Sequence, residues 1–180
     1  MMKLKPFRDY QEHDVINLFA FNAASGNRGA LVSIVGPSGY ISSQDLVTTS
    51  LTAEANVVSL RYSVASKVRY ATSGEGKGEV LGMMLYDTRE YDYLGRPLIY
   101  DPTRKSEAQA VVSGEAVPVV RRGLFLISGM VGSPGPGSGA QAADNDSGDF
   151  KVLGAGNANS VGTFLGATDN DGYALFLLDC

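Results

Sequence analysis

The sequence is poor in the side chains that most often carry catalysis and metal binding. Its 180 residues contain one histidine, one cysteine and no tryptophan. A histidine-based triad or metal site needs partner residues that the polar segment around His13 does not offer. Cys180 has no second cysteine for an internal disulfide, which is typical of a reducing compartment. We therefore expect His13 to be solvated, Cys180 to be inert at a mobile terminus, and the protein not to be an enzyme.

Long apolar runs and an excess of positive charge are also missing. The longest apolar run, residues 123–132, is about half of what a bilayer span needs. The basic start of the chain is followed by no apolar stretch of the kind found in secretory signals, and the cysteine is not four residues from the end, as prenylation requires. Fifteen basic and nineteen acidic residues give a net charge of −4, which argues against binding to nucleic-acid phosphates. These features predict a protein made in the cytoplasm, with neither a membrane nor a nucleic-acid partner.

Glycine and β-forming residues are abundant. The 22 glycines are scattered, which is typical of tight turns between short strands. Residues 57–72 alternate with a period of two, as in a strand with one wet face. Further strands are predicted at 80–88, 108–113, 117–128, 150–156, 160–168 and 173–179. Between them we predict a hairpin tip at 74–79, a tyrosine-rich loop at 89–102 and turns at 114–115 and 169–172. Pro118 cannot donate to a ladder, so it should start a strand or lie at an edge or bulge.

This pattern predicts an all-β or mostly β protein, built as a small β-barrel, β-tulip or sandwich. Residues 1–22 should form an N-terminal arm and a first strand, with a polar and unpaired portion at 1–13. Residues 14–22 suit a strand or a short helix, and 43–55 a short helix. Residues 23–180 should form one β-rich domain, in which the Gly-, Pro- and Ser-rich segment 132–149 is an exposed loop because it has almost no apolar side chains.

Two segments resemble cofactor-binding motifs but lack residues that those motifs require. Lys77 lies in a glycine-rich run, but Gly78 and a strand follow it where a phosphate-binding loop has Ser or Thr and a helix. Counted from Asp144, a helix-loop-helix calcium site would need Gly at position 149 and Glu at 155, where the chain has Asp and Ala. A looser calcium site between the Asp-rich loops is the alternative to ordinary Asx turns. We expect no cofactor and no metal.

The tyrosine-rich loop combines aromatic rings with carboxylates. Asp87, Glu90 and Asp92 lie close in sequence to four tyrosines: Tyr86, Tyr91, Tyr93 and Tyr100. Aromatic faces stack on sugar rings, whereas Tyr and Arg are also enriched at protein interfaces. We favour a protein interface over a sugar site.

Two stretches resemble auxiliary virion proteins of tailed bacteriophages. The run EHDVINLFAFNAASGNRGALVSIV looks like the opening of such proteins. The later sequence, from GEVLGMMLYD to AQAVVSGEAVPVVRRGLFLISG, is similar to the core of phage capsid decoration (cement) proteins, in which a strand with G-apolar-L-G precedes one ending in SGE.VPV.RRG. The chain departs from the smallest of these proteins in its length and in segment 132–149.

The resemblance implies a trimeric virion protein on the outer surface of an icosahedral capsid, where it would bridge neighbouring major capsid protein subunits. The arm would add a strand to a partner's sheet, and Arg121 or Arg122 would meet a neighbour's carboxylates unless it lies along the protein's own surface. Val117, Val119, Leu124, Phe125, Leu126 and Ile127 would supply core and subunit contacts. The predicted partner-binding residues are Phe7, Arg8, Tyr10, His13, Tyr91, Tyr93, Arg96, Arg121 and Arg122. The alternatives are a carbohydrate- or host-receptor-binding virion module and, more remotely, a non-viral assembly adaptor.

Overall fold

The computed structural model describes residues 4–35, 67–145 and 147–180, and the prediction of a mostly β protein is confirmed. The predicted helix at 43–55 and most of the predicted strand at 57–72 lie outside the described residues. The strands are β1 (Leu4–Asp9), β2 (Val15–Ile16), β3 (Ala20–Phe21), β4 (Leu31–Ile34), β5 (Lys67–Tyr70), β6 (Val80–Met84), β7 (Asp87–Thr88), β8 (Ala110–Val111), β9 (Val119–Val120), β10 (Arg122–Ile127), β11 (Ser138–Ala142), β12 (Phe150–Ala155), β13 (Gly162–Phe164) and β14 (Ala174–Asp179). One short α-helix, α1 (Pro102–Glu107), and two 3-10 turns, Glu12–Asp14 and Leu98–Tyr100, complete the described elements.

Two six-stranded sheets make up the body. Sheet A has the strand order β1-β10-β14-β13-β11-β12, and sheet B has the order β2-β9-β6-β4-β5-β3. Strands β7 and β8 form a small third sheet. The pairs β3–β5 and β7–β8 are parallel, and the other named pairs are antiparallel.

Sheet B is buried on both faces. Along β6, Met83 belongs to the core shared with sheet A, while its neighbour Met84 belongs to a second apolar cluster on the opposite face. Val120 and Val119 of β9 divide in the same way. Because successive strand residues point to opposite faces, a strand covered on both sides needs a continuous apolar run, and the sequences of these strands provide it.

Sheet A contributes one face to the shared core. Phe125 of β10 stands opposite Phe176 of β14, and both side chains are fully buried. The Phe176 ring lies 5.0 Å from that of Phe150 and 4.8 Å from that of Phe164, within the usual spacing of aromatic pairs. These phenylalanines, one from each of four strands, hold sheet A against sheet B.

The N-terminal segment corrects the prediction of an unpaired arm. Residues 4–9 form β1, which pairs with β10 at the edge of sheet A. Leu4 is fully buried in the shared core, and Phe19 and Phe21 belong to the second cluster. The described part of residues 1–22 is therefore integral to the body. The segment is ordered although its composition is polar. Leu4 anchors it in the core, and the pairing with β10 supplies its backbone hydrogen bonds.

Residues 74–79 are not the hairpin tip that we predicted. Strands β5 and β6 do not pair with each other, because β4 lies between them and pairs with both. Glu75 stabilises the segment that connects β5 to β6 and passes around β4. Its carboxylate accepts hydrogen bonds from Ser33 Oγ at 2.7 Å, from Arg69 Nη2 at 2.7 Å, and from the Thr72 backbone N–H at 3.0 Å and hydroxyl at 2.8 Å.

The prediction of an exposed loop at 132–149 is wrong for its central part. Residues Ser138–Ala142 form β11, which lies inside sheet A between β13 and β12. Ala140 and Ala142 are fully buried in the shared core. Small side chains do pack here, because large neighbours such as Phe150 supply the volume that alanine lacks.

The predicted strand 117–128 is two strands that belong to different sheets. Strand β9 pairs with β6 and β2 in sheet B, and β10 pairs with β1 and β14 in sheet A. The chain changes sheets at Arg121, whose backbone N–H donates to Asp14 O and whose carbonyl accepts from Cys180 N–H. Pro118 directly precedes β9, as its missing donor predicts.

Candidate functional site

The outer face of sheet A carries a cluster of leucines. Leu124 stands opposite Leu177, and Leu126 opposite Leu175, on the face of β10 and β14 that points away from the shared core. Leu165 follows Phe164, which faces the shared core, and its N–H donates to Leu175 O in the same register, so its side chain lies on the outer face beside Leu175. Leu165 is 47% exposed and Leu177 44%. We call these five residues the leucine face; none of them belongs to either core cluster of the described residues.

Charged pairs border the leucine face at both ends. Arg122 Nε lies 2.9 Å from Asp179 Oδ1 at one end of β10 and β14. At the other end Lys5 Nζ lies 3.5 Å from Asp171 Oδ2 and 4.1 Å from the ring centre of Tyr173. An apolar centre within a charged rim is the usual anatomy of a protein interface.

The two arginines at the change of sheet have partners within the chain. Arg121 Nη2 donates to the carbonyl of Cys180 at 3.0 Å, and Arg122 pairs with Asp179. Lys77 also donates to Asp179, at 2.8 Å; this bond, together with Arg122, lowers the pKa of Asp179 despite the opposing effect of burial. Both arginines thus have partners within the chain, and Arg122 lies beside the leucine face; that they meet a neighbour's carboxylates stays a prediction.

Asp92 stabilises the tyrosine-rich loop through hydrogen bonds to groups of the loop and of α1. Its carboxylate accepts the Leu94 and Arg96 backbone N–H groups at 2.8 Å each and Arg104 Nη1 at 2.7 Å. The Arg96 N–H lowers the pKa of Asp92 most, and the Leu94 N–H and Arg104 add to this against the effect of burial. The side chain of Asp92 is only 5% exposed. It holds the loop through internal hydrogen bonds.

Most of the hydrophobic side chains of this loop point outward, whereas Leu98 is buried. Tyr93 is 89% exposed, Tyr100 85% and Tyr91 56%. Leu94 and Ile99 are exposed on the same loop. Tyr86, in contrast, packs against both core clusters. The predicted residues Tyr91, Tyr93 and Arg96 thus share one exposed loop, while Tyr86 does not join them.

A cleft of about 670 Å³ opens beside this loop and is lined by Arg28, Arg89, Asp92, Tyr93, Arg104, Glu107, Ala108 and Gln109. Arg28 Nη1 donates to Gln109 Oε1 at 2.7 Å. The Arg28 backbone N–H donates to Asp87 Oδ1 at 2.8 Å, and Arg89 pairs with the same carboxylate. Asp87 is buried, and so it too is a structural anchor rather than a rim residue.

The predicted N-terminal residues lie elsewhere. Tyr10 is 36% exposed and stacks on Phe125 with ring centres 5.9 Å apart. His13 is exposed in the 3-10 turn, as predicted. Phe7 and Arg8 belong to β1, and their side chains are not among those that the structure describes. A second groove, of about 760 Å³, runs beside Tyr10 and is lined by Tyr10, Glu12, Val15, Asn17, Leu85, Tyr86, Gln109, Val111, Ala116 and Pro118.

The remaining reactive groups are structural where the chain is described. Cys180 is buried rather than mobile, and burial raises the pKa of its thiol to about 12. Asp144 pairs with Lys151, and Asp169 Oδ1 accepts the Asp171 and Tyr173 N–H groups in an Asx turn. Within residues 4–35, 67–145 and 147–180, no three His, Cys, Asp or Glu side chains are grouped to hold a metal ion. In the same residues, no helix has the length and apolar character to cross a membrane.

Comparison with known proteins adds no relative. No protein-family model matches the chain. Neither a curated protein nor a solved structure matches it significantly.

Sequence reasoning found part of this surface. It named Leu124 and Leu126 among core and subunit contacts without separating them from Phe125 and Ile127, and it missed Leu165, Leu175 and Leu177. The sequence did contain a pattern that separates the two faces. In both RGLFLI and ALFLLD, every second residue lies on the same face, and the phenylalanine and the exposed leucines fall on opposite faces. Only the position of the core shows that the leucines face outward.

Proposed function

We propose that this protein is a structural binding protein that docks through the leucine face of sheet A. We further propose that its partner is the major capsid protein on the outer surface of a tailed-phage capsid, where trimers of the chain would bridge neighbouring subunits. The leucine face supports the first statement, and the sequence resemblance to decoration proteins supports the second.

Exposure of the leucine face has an energetic cost that a partner removes. Burying a leucine side chain fully stabilises a complex by about 1.5–3 kcal/mol, and Leu165 and Leu177 are each nearly half exposed. Five leucines, on β10, on β14 and directly after β13, form a smaller patch than the roughly 800 Å² per partner of a standard stable interface. A patch of this size favours many weak contacts repeated over a lattice, which gain strength through multivalency.

Charge is consistent with a position outside the shell. The chain carries a net charge of −4, so it would be repelled by packaged nucleic acid and has no excess of cations with which to bind it.

Binding to capsids tests the proposal directly. Purified protein is mixed with shells that lack it, and sedimentation measures the bound fraction. We expect saturable binding, which Leu177→Lys weakens at least tenfold because it places a charge within the apolar leucine face. Leu94→Lys is the matched control, since Leu94 is 56% exposed on a different surface. Absence of binding by the unmodified protein, or equal binding by both variants, would refute the proposal.

Self-association is tested separately in solution. Light scattering should give three times the chain mass of 19.0 kDa, and a monomer at all concentrations would refute the trimer.

A second candidate function is recognition of a glycan or host receptor through the tyrosine-rich loop. The nearly complete exposure of Tyr93 and Tyr100 favours it, because exposed aromatic rings offer stacking faces for sugar rings. A glycan array probed with the unmodified protein and with Tyr93→Ala tests this candidate; a lack of binding to any glycan would remove it.

A further inference from the structure

We propose that the cleft beside Tyr93 binds an uncharged saccharide. This inference does not depend on the capsid proposal. It narrows the glycan-binding candidate to one cleft and one class of sugar.

The size of the cleft suits a small ligand. Its volume of about 670 Å³ lies within the range of roughly 300–1,000 Å³ that is typical of ligand pockets. The segments that line it come from distant parts of the chain: Arg28 precedes β4, Arg89 follows β7, and Arg104 lies in α1. Hydrogen bonds join these segments, from Arg28 to Gln109 and from Arg104 to Asp92.

The ion pairs of the cleft favour an uncharged ligand. Arg89 is paired with Asp87, and Arg104 with both Asp92 and Asp101. Arg28 is the third cation of the lining, and with Glu107 the three arginines lie among four carboxylates. The cleft therefore has little net positive field with which to attract an anion, and a ligand carboxylate would have to compete with these internal partners. A phosphate or carboxylate ligand is therefore disfavoured.

The polar groups of the cleft suit hydroxyls. A sugar hydroxyl both donates and accepts hydrogen bonds. The cleft offers guanidinium donors on Arg89 and Arg104 and an acceptor on the exposed side chain of Glu107. Tyr93 adds an almost fully exposed ring at the wall, on which a sugar ring can stack.

The backbone at Gln109 is an independent sign of a functional position. Gln109 directly follows the C-cap of α1 and has φ +49°, the only positive φ of a non-glycine residue among those described. Glycine is the usual residue at this helix position because it adopts the left-handed conformation without strain. Glutamine at this strained position places its amide in the cleft, and backbone strain of this kind clusters at binding sites.

Saturation-transfer NMR with three neutral trisaccharides, cellotriose, maltotriose and chitotriose, tests the proposal on the isolated protein. We expect at least one of them to bind. Tyr93→Ala should then weaken binding about tenfold, the usual size of an aromatic contact. Gln109→Gly should weaken it at least as much while the melting temperature changes little, because relief of backbone strain offsets the lost bond to Arg28. Tyr100→Ala is the matched control, being 85% exposed but outside the cleft lining, and should bind normally.

Three results would overturn the proposal: no binding of any neutral trisaccharide, stronger binding of trigalacturonate than of all three, or unchanged binding by Tyr93→Ala and Gln109→Gly. Gln109 also lines the second groove, so loss of binding in Gln109→Gly alone would place the ligand there and would equally overturn the assignment to the cleft. None of these results bears on capsid binding, which uses the leucine face.

Discussion

Glu75 offers the sharpest test of how the body is held together. Its carboxylate joins β4, through Ser33, to β5, through Arg69, and also fixes the turn at Thr72. The Glu75 side chain is 16% exposed and that of Arg69 36%. Replacing Glu75 by Ala removes four hydrogen bonds and leaves the buried Ser33 hydroxyl without this acceptor.

The expected cost follows from these contacts. Neutral hydrogen bonds contribute about 1 kcal/mol each and those to charged groups about 1.5–3 kcal/mol, but the partly exposed ion pair with Arg69 contributes less because water screens it. The contributions of bonds that share one carboxylate do not add. We expect Glu75→Ala to lower the free energy of unfolding by about 3 kcal/mol, as for loss of one partner of a buried charged network, and Glu75→Gln by about 1.5–2 kcal/mol. For a chain of this size, 3 kcal/mol corresponds to a decrease in melting temperature of roughly 6–12 °C.

The effect should depend on pH. Burial by itself raises the pKa of Glu75, but the hydrogen bonds from Ser33, Thr72 and Arg69 outweigh it and lower the pKa below its ordinary value of 4.5. A carboxyl group whose pKa is lower in the folded state stabilises the fold above its ordinary pKa, and this contribution is lost as the pH falls through the folded-state value. The stability difference between the unmodified protein and Glu75→Gln should therefore be full at pH 7 and should shrink below pH 4.5.

Urea unfolding followed by circular dichroism measures these differences. Glu79→Gln is the matched control, because Glu79 is exposed and makes one long contact, of 3.3 Å, to the Gly76 N–H. If Glu75→Gln and Glu79→Gln differ by less than about 0.5 kcal/mol, a typical effect of surface substitution, the carboxylate does not fasten the sheet and the reasoning is wrong.

Three further perturbations test the packing. Phe176→Ala should destabilise the protein by about 3–5 kcal/mol in urea unfolding, because a cavity replaces a ring that contacts two others; a loss below 1 kcal/mol would contradict the packing of the core. Gly123→Ala should destabilise the protein by about 2 kcal/mol and speed amide exchange in β1, because Gly123 has φ +145° and an added Cβ would lie 2.6 Å from Asp9 O. Gly166→Ala is the control: Gly166 has open space around it, so neither the stability nor the amide exchange should change. The thiol of Cys180, with its pKa raised to about 12, should react with a disulfide reagent at pH 8 only after unfolding; rapid reaction in the native protein would show that the C-terminus detaches.

Strands and turns were predictable where neighbouring residues alone carry the pattern. The alternation at Val68 and Tyr70 and the turn at 169–172 are local features, and the structure has both. The tyrosine-rich loop was also visible in the sequence, because its turn residues and aromatic rings interrupt the strand pattern. The structural role of the nearby carboxylates was not visible, since the sequence does not reveal that Asp87 and Asp92 point inward towards N–H donors.

Pairing partners were the least predictable feature. Nothing near residues 74–79 indicates that β4 lies between β5 and β6, and nothing near Arg121 indicates that the chain changes sheets there. Strand β11 was missed for the same reason. Its alanines are small, and they fill a core only where large side chains from other strands surround them. The cleft was missed for this reason too, because Arg28 and Gln109 are 81 positions apart and meet only in the folded chain.

The sequence by itself determined that this protein is built from short strands and glycine turns, with few reactive groups, because alternation and turn chemistry act between neighbouring residues. The tertiary structure decided which face of each strand is covered. Two sheets that share one core leave the outer face of sheet A to its leucines, while both faces of sheet B are buried. That difference arises from contacts between residues far apart in the chain, and the alternating pattern of a single strand is the same whichever of its faces turns inward.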